Sequence, residues 1–455
     1  MKERVALFVI LLGLTAFIYM FQYHVNTLWG YVLLLSFMTV YGIYSTVALQ
    51  HNKRKLKKQP LKINEDYKPF VSIMIPAHNE ESVITNTVDN IMQLNYQNFE
   101  IIIIDDRSTD NTANVIKNIE LKYKDKVKTL IREQGAFPGK SAVLNDALKL
   151  AKGDAILVFD ADATVEPDFL SKMIPCLEPA DVGAVQARKV IRNGSYNLLT
   201  RCQYNEYVLD TYLQVGRDAI KGAVELRGNG ELIKRKALED IDGWNNYTIT
   251  DDLDMSTRLH IKGWDVRYCP SAEVYEEGII YLVPLFRQRR RWLEGTIRRY
   301  LEYSSEAIKS IKMSLRAKLD MIAYITQFIM PLWMILEIVI RAFKALTGKG
   351  VLQQELFSSV IIAIITAIGF FMAIRYSLRR YDNQKRIPAF IQASYTAVYM
   401  LIIWFPMVLF ICGKILFCKK DMNWGKTAHG LVMEEEAGHK NINNTEKELQ
   451  EVQWI

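Results

Sequence analysis

Near-continuous apolar runs at both ends of the chain, with a mixed polar centre between them, restrict its fold more than any other feature. From Val5 to about Tyr23, and again from Leu28 to about Leu49, each run is long enough to span a bilayer. Basic residues precede the first run (Met1 to Arg4) and follow the second (His51 to Lys58), with only His24 to Thr27 between. That pattern predicts a hairpin with both ends in the cytosol. A cleaved signal peptide fits less well, because the first run is long, lacks an Ala-x-Ala site and has a second span beside it. Beyond Ser310 apolar runs resume at Met321 to Ile340 and Leu356 to Arg375. The last, Pro388 to Phe417, is about 30 residues, too long for one straight span at roughly 1.5 Å per residue. It reads as one tilted helix or as two short passes broken near Pro406, and Lys419-Lys420 behind it favours the broken form.

The expected layout follows. A transmembrane hairpin occupies 1–50, a basic linker 51–69, a cytosolic domain 70–280, amphipathic interfacial helices 281–312, further transmembrane helices 313–418 and a polar tail 419–455. The whole is a multi-pass protein of the plasma membrane. The net charge of +7 lies largely at apolar flanks, which points to a lipid bilayer and away from nucleic acid. The five cysteines form no Cys-x-x-Cys and no ligand spacing with the six histidines, so free thiols in a reducing compartment and no zinc site are expected.

In the centre, short β-branched runs at Val71 to Pro76, Phe99 to Asp105, Val127 to Ile131, Ala155 to Phe159 and Val182 to Gln186 alternate with amphipathic helical patterns. Such alternation predicts a parallel, doubly wound α/β sheet with its ligands at the carboxyl ends of the strands. Polar motifs fall at those ends: Pro76-Ala77-His78-Asn79-Glu80, then Asp105 to Asp110, then Asp160-Ala161-Asp162. In the last, alternate residues of extended chain point the same way, so two carboxylates can share one hard cation. Pro138-Gly139-Lys140-Ser141 opens a helix but lacks the first glycine of a P-loop, which disfavours a Walker nucleotide hydrolase while leaving Lys140 able to bind a phosphate. Thr250-Asp251-Asp252-Leu253-Asp254 reads as a helix start with three acids in the first turn, and on its own is a well-capped surface helix. Gln288-Arg289-Arg290-Arg291-Trp292 adds a cationic cluster, which on its own is the basic face of an interfacial helix.

Taken together, Asp105-Asp106, Lys140, Asp160-x-Asp162, Thr250-Asp251-Asp252 and Gln288-x-x-Arg291-Trp292 resemble, in order and approximate spacing, the processive family 2 glycosyltransferases that make cellulose, hyaluronan and poly-N-acetylglucosamine. The resemblance covers about Val71 to Tyr300. It implies a GT-A α/β fold, a UDP-sugar donor of the glucose or N-acetylglucosamine class, and a divalent cation, Mg2+ or Mn2+. It also implies inverting growth of a β-linked glycan, exported through the protein's own channel, with accessory export or regulatory subunits as further candidate partners.

Residue by residue, the resemblance makes Asp252 the general base and Asp162 the main metal ligand, with Asp160 beside it on the nucleotide side. Asp105 or Asp106 becomes a uridine contact, and Glu80, Lys140, Gly228, Asp251, Gln288, Arg291 and Trp292 fall among the substrate-binding positions. Asp251 stands where the family has a glutamate. An inverting displacement needs such a base, because the attacking hydroxyl must lose its proton, and it needs cations to neutralise the leaving diphosphate. Asp110, Asp168 and Asp254 read as structural, as do the tyrosines between Ser195 and Arg217. The Asn-x-Ser/Thr triplets at Asn193, Asn246 and Asn443 fall on the cytosolic side and should be inert. The rival readings are a non-processive enzyme acting on a lipid acceptor, a catalytically inactive glycan-export scaffold and, weaker, a transporter.

Overall fold

The structure, a computed structural model, describes residues 2–24, 36, 40–51, 54, 64, 66–347 and 352–420. Helix α1 (Lys2–His24) and the helical residues 40–51 (α2) precede the central unit. That unit opens with β1 (Val71–Ala77) and β2 (Phe99–Asp105), in which every residue is buried. A parallel strand covered on both faces carries a continuous apolar run, and alternate side chains then feed two separate cores. Ile73, Ile75, Ile101 and Ile103 pack on one face, and Met74, Ile102 and Ile104 on the other. Each such side chain contributes about 2 kcal/mol of transfer free energy.

Helices α3 (Ile84–Ile91), α4 (Thr112–Lys122) and α5 (Lys140–Leu150) link β1 and β2 to β3 (Val127–Ile131) and β4 (Ala155–Val158). These four strands are parallel, as expected. Beyond β4 the expectation of an all-parallel sheet fails. β6 (Val182–Ile191) does not join β4, because β7 (Glu231–Lys234) lies between them, antiparallel to both. β8 (Asp265–Glu276) runs parallel to β6, and β5 (Thr164–Val165) pairs antiparallel at the edge. The result is a mixed eight-stranded sheet in the order β3-β2-β1-β4-β7-β6-β8-β5. β7 is only four residues long, too short to show a period in the sequence. Gly228 (φ +80°) and Gly230 (φ +71°) turn the chain into it. A Cβ on Gly230 would stand 2.9 Å from Val274 Cγ1 and 3.0 Å from Ala187 Cβ, so this crossing of β6, β7 and β8 requires glycine.

Helices α6 (Phe169–Leu177) and α8 (Arg235–Asp240) complete the cover of the sheet. Helix α7 (Leu198–Ala219) begins at a capping box, in which Asn197 Oδ1 accepts from Thr200 N (2.8 Å) and Asn197 N donates to Thr200 Oγ1 (3.1 Å). Its Val208 and Leu209 pack with Ile374, Leu378, Ala389 and Ala393 of α12 (Leu352–Tyr381) and α13 (Arg386–Phe417), joining the sheet to the apolar helices. Helix α9 (Asp251–Lys262) ends at Gly263, which is left-handed. Helix α10 (Leu282–Lys309) buries Leu285, Leu293 and Ile297 against Ile403, Met407 and Ile411 of α13, and α11 (Leu315–Leu346) follows it.

The break expected near Pro406 does not occur, and α13 runs through it as one helix of 32 residues. Proline removes one backbone donor, but Met407, Val408 and Ile411 directly after it are buried and hold the helix together. Among the described residues, Lys2–Met20 and Arg386–Phe417 are long and apolar enough to cross a membrane, and Leu315–Thr326 with Pro331–Ile340, bent by 44°, would make a third if the pair is one span. This is fewer than the multi-pass arrangement expected. Half of the expected second span, Trp424-Gly425-Lys426-Thr427 and the polar tail with Asn443 lie outside the described residues.

Candidate active site

The carboxyl ends of β1 and β4, the turn before β7 and the first turn of α9 meet in one cavity of about 380 Å³. At the end of β1, Asn79 (φ +56°) donates its N–H to Ser108 Oγ (2.8 Å) and accepts from Thr109 N (2.6 Å). These bonds lock its turn to the loop after β2, and His78 and Glu80 stand on the cavity wall.

At the end of β4, both Asp160 and Asp162 line the cavity. Lys140, the first residue of α5, donates from Nζ to Asp160 Oδ1 and to Gly228 O, both at 2.7 Å. Burial alone would lower the pKa of its ammonium, but the carboxylates of Asp160 and Asp251 outweigh burial and raise it. These bonds tie β4 to the glycine turn and hold Lys140 on the cavity wall. Asp162 Oδ2 accepts from Glu277 N at 3.5 Å.

Thr250 occupies the N-cap of α9, but its hydroxyl makes no capping bond. Asp252 Oδ1 accepts from Leu253 N at 2.8 Å. Gly228 approaches so closely that a Cβ there would stand 3.3 Å from Asp252 Oδ2. Burial first, and then repulsion from Asp251, push the Asp252 carboxyl up to about 6. It is therefore ionised at neutral pH yet basic enough to take a proton. Asp254 is engaged structurally, accepting from Tyr303 Oη (2.7 Å) and Arg258 Nε (2.6 Å).

Gln288, Arg291 and Trp292 of α10 line the same cavity. Arg291 has no ion-pair partner among the described residues, whereas Arg289 is fully buried and reaches Glu206 Oε2 at 2.9 Å. Asp105 and Asp106 do not line the cavity. Asp106 Oδ1 takes Arg132 Nη1 (2.7 Å) and Arg107 Nε (2.9 Å). Asp105 Oδ2 accepts from Ser108 N (3.3 Å), and its buried Oδ1 has no partner among the described residues.

Three charged groups near these residues had not been singled out in the sequence. Glu231 Oε1 accepts from Gly228 N at 2.5 Å, and burial, followed by Asp252 and Asp251, pushes its carboxyl up to about 8. Lys189 pairs with Glu276 at 2.9 Å and lies 5.5 Å from the Trp292 ring centre. Glu206 lines the cavity from α7, in the helix read as core, and so does Tyr207. An acid flanked by aromatic residues, Tyr204 and Tyr207, was the available signal for Glu206; Glu231, directly behind Gly230, offered none.

At its other end the cavity is walled by Phe328 and Pro331 of α11, Phe370 of α12 and Met400, Phe405 and Val408 of α13. One space is thus acidic at the strand ends and apolar between the helices. Among the described residues no three His, Cys, Asp or Glu side chains gather as a ready metal site. Asp160 and Asp162 nevertheless offer hard oxygen donors on the cavity wall, a set that suits Mg2+ or Mn2+ completed by water and a diphosphate rather than by a protein cage.

The family profile described as Glycosyltransferase like family 2 matches residues 69–295. The chain is 36% identical over 413 residues to the beta-monoglucosyldiacylglycerol synthase of Nostoc sp. (strain PCC 7120 / SAG 25.82 / UTEX 2576), covering 88% of this chain and 84% of that protein. It is 27% identical to the poly-beta-1,6-N-acetyl-D-glucosamine synthase of Staphylococcus epidermidis, over 80% of this chain and 89% of that protein. Among solved structures, the mannosyltransferase PcManGT from Pyrobaculum calidifontis, in complex with GDP-Man and Mn2+, superposes with a TM-score of 0.57 at 20% identity, covering 81% of this chain and 99% of that one, a likeness of fold. From strand ends that gather acids around one cavity to relatives aligned along most of its length, the chain belongs to glycosyltransferase family 2 and carries a GT-A-like glycosyltransferase fold with a mixed sheet.

Proposed function

We propose that this enzyme transfers a hexose, with inversion, from a UDP-sugar to the hydroxyl of a membrane glycerolipid, using a cytosolic domain at 70–280 held against the bilayer by its apolar helices. The observation that carries this reading is the single cavity joining Asp160, Asp162 and Asp252 to the apolar wall of α11, α12 and α13. Acyl chains fit the apolar end, and the lipid hydroxyl then falls among the acids. The relatives named as beta-monoglucosyldiacylglycerol synthases support it.

Asp252 takes the proton of the acceptor hydroxyl as its oxygen attacks the anomeric carbon, and the bond from that carbon to the phosphate oxygen breaks. Asp251 raises the basicity of Asp252, and Gly228 leaves room for the acceptor against the backbone. Arg291 meets the departing diphosphate with its forked donors. Glu80, on the cavity wall, is the candidate on the nucleoside side, with the uracil N3–H as the matching donor. Gln288 and Trp292 contact the sugar. A divalent cation held by Asp160 and Asp162 would supply positive charge to the leaving group.

A second reading, extension and export of a β-glycan, is favoured by Gln288-x-x-Arg291-Trp292 on the cavity wall and by the poly-N-acetylglucosamine synthase relatives. Purified protein in nanodiscs with Mg2+ or Mn2+ and radiolabelled UDP-sugars, with and without diacylglycerol, separates the two. Label that enters the chloroform phase only when diacylglycerol is present is the expected result. A water-soluble polymer of high molecular weight would replace the lipid reading by the polysaccharide one.

A further inference from the structure

Besides the strand-end acids and the apolar side chains of α11 to α13, the cavity wall carries Glu206 of α7 together with Trp292, Trp404 and Tyr207. A carboxylate next to an acyl-chain slot is costly unless it is bonded, and Glu206 is bonded from two helices. Its Oε2 accepts from Arg289 Nη2 (2.9 Å) and Tyr399 Oη (3.1 Å), and its Oε1 from Trp404 Nε1 (3.2 Å). Arg289 in turn donates to Gln288 Oε1 (2.9 Å) and lies 4.1 Å from the Trp292 ring centre. The carboxylate, the amide and two indoles are thus held in one arrangement.

Each carboxylate oxygen accepts two hydrogen bonds. Among the described residues Oε1 has one, and the side chain keeps 11% of its surface exposed. The open position is an acceptor and calls for an O–H. A diacylglycerol has a single hydroxyl, which must reach Asp252, and its esters only accept. A sugar ring, by contrast, offers several hydroxyls to a carboxylate and an apolar C–H face to an indole.

We propose that Glu206 and Trp404 form a sugar subsite, and that the enzyme also accepts a lipid already bearing one hexose and adds a second. The inference rests on the lipid-acceptor reading above. In the second transfer a hydroxyl oxygen of the lipid-linked sugar attacks the anomeric carbon of the donor. A new C–O bond forms, the C–O bond to the β-phosphate breaks with its electron pair leaving on UDP, and the proton passes to Asp252.

The test supplies wild-type protein and Glu206→Gln with UDP-sugar and either diacylglycerol or monoglucosyldiacylglycerol, and resolves mono- and diglycosyl products by mass. Wild type is expected to extend both lipids. The variant is expected to lower kcat/KM for the glycosylated lipid, relative to diacylglycerol, by about tenfold or more, the value of a hydrogen bond to a charged group. Because both acceptors are compared on one variant, any loss of folded protein cancels. Extension of diacylglycerol alone would overturn the inference and leave the lipid reading standing. Equal losses on both acceptors would overturn the role of Glu206, and transfer to neither lipid would remove both readings together.

Discussion

Three carboxyl groups, Asp251, Asp252 and Glu231, crowd the Gly228 turn, and they cannot all be charged together at low cost. Burial at 1% exposure, and then the charges of Asp252 and Asp251, push the Glu231 carboxyl up the furthest, which favours Glu231 as the group that holds a proton. With Asp252 raised to about 6, transfer should fall as the pH drops below about 6, because the base works only when ionised. A pH profile of kcat flat from 5 to 7 would place the base elsewhere. Asp252→Asn should lower kcat by roughly 10²–10⁴-fold with nucleotide affinity retained, read by turnover and calorimetry on the same preparation. Glu231 gives a signature in stability. Its folded pKa lies above the ordinary carboxyl value of 4.5, so the folded state holds the proton more tightly and loses stability as the pH rises from about 4.5 towards about 8. Glu231→Gln keeps an oxygen for Gly228 N without that titration. The melting temperature of the variant relative to wild type should therefore rise between pH 5 and pH 8, and a constant difference would show that Glu231 is not protonated in the fold.

Between elements, two contacts on α10 set the site. Gly295 lies against the start of α9 so closely that a Cβ would stand 2.3 Å from Thr250 Cγ2 and 2.5 Å from its Oγ1. Gly295→Ala must push the two helices apart, at a cost of about 1–3 kcal/mol, and carry Asp251 and Asp252 with them. Activity should fall further than the shift in melting temperature accounts for, and full activity would show that the α9–α10 spacing does not position the acids. Arg289 joins α10 to α7 through Glu206, and Glu206 is bonded in turn to Tyr399 and Trp404 of α13. Arg289→Met leaves the carboxylate without its countercharge, and a loss of about 3 kcal/mol is expected in denaturant unfolding. This arginine, not Arg291, is the deeply buried member of the cationic cluster. The sequence shows both as charges one turn apart or less, and only the packing of α10 decides which faces the cavity.

For the whole molecule, the cavity makes the catalytic unit and the apolar helices one device. Val408→Phe adds bulk to the apolar wall, so the KM for a lipid acceptor should rise several-fold while nucleotide affinity stays unchanged; no change in acceptor KM would mean that the lipid does not use this arm. The parallel half of the sheet was legible because β1 and β2 are buried on both faces and so carry unbroken apolar runs. The antiparallel insertion of β7 was not, since four residues show no period and the reversal lies in the φ of two glycines. At the site, Glu80, Lys140, Asp160, Asp162, Gly228, Asp251, Asp252, Gln288, Arg291 and Trp292 all meet at the cavity, whereas Asp105 and Asp106 do not line it. The sequence by itself determined the family, the parallel core and the order of the acids, because these depend on local runs and on short motifs whose spacing survives in the chain. Tertiary structure alone decided which charges are neutralised and what the far end of the cavity is made of, because Glu206, Glu231 and the walls of α11 to α13 come together from segments far apart in sequence, and burial acts only on groups already brought into contact.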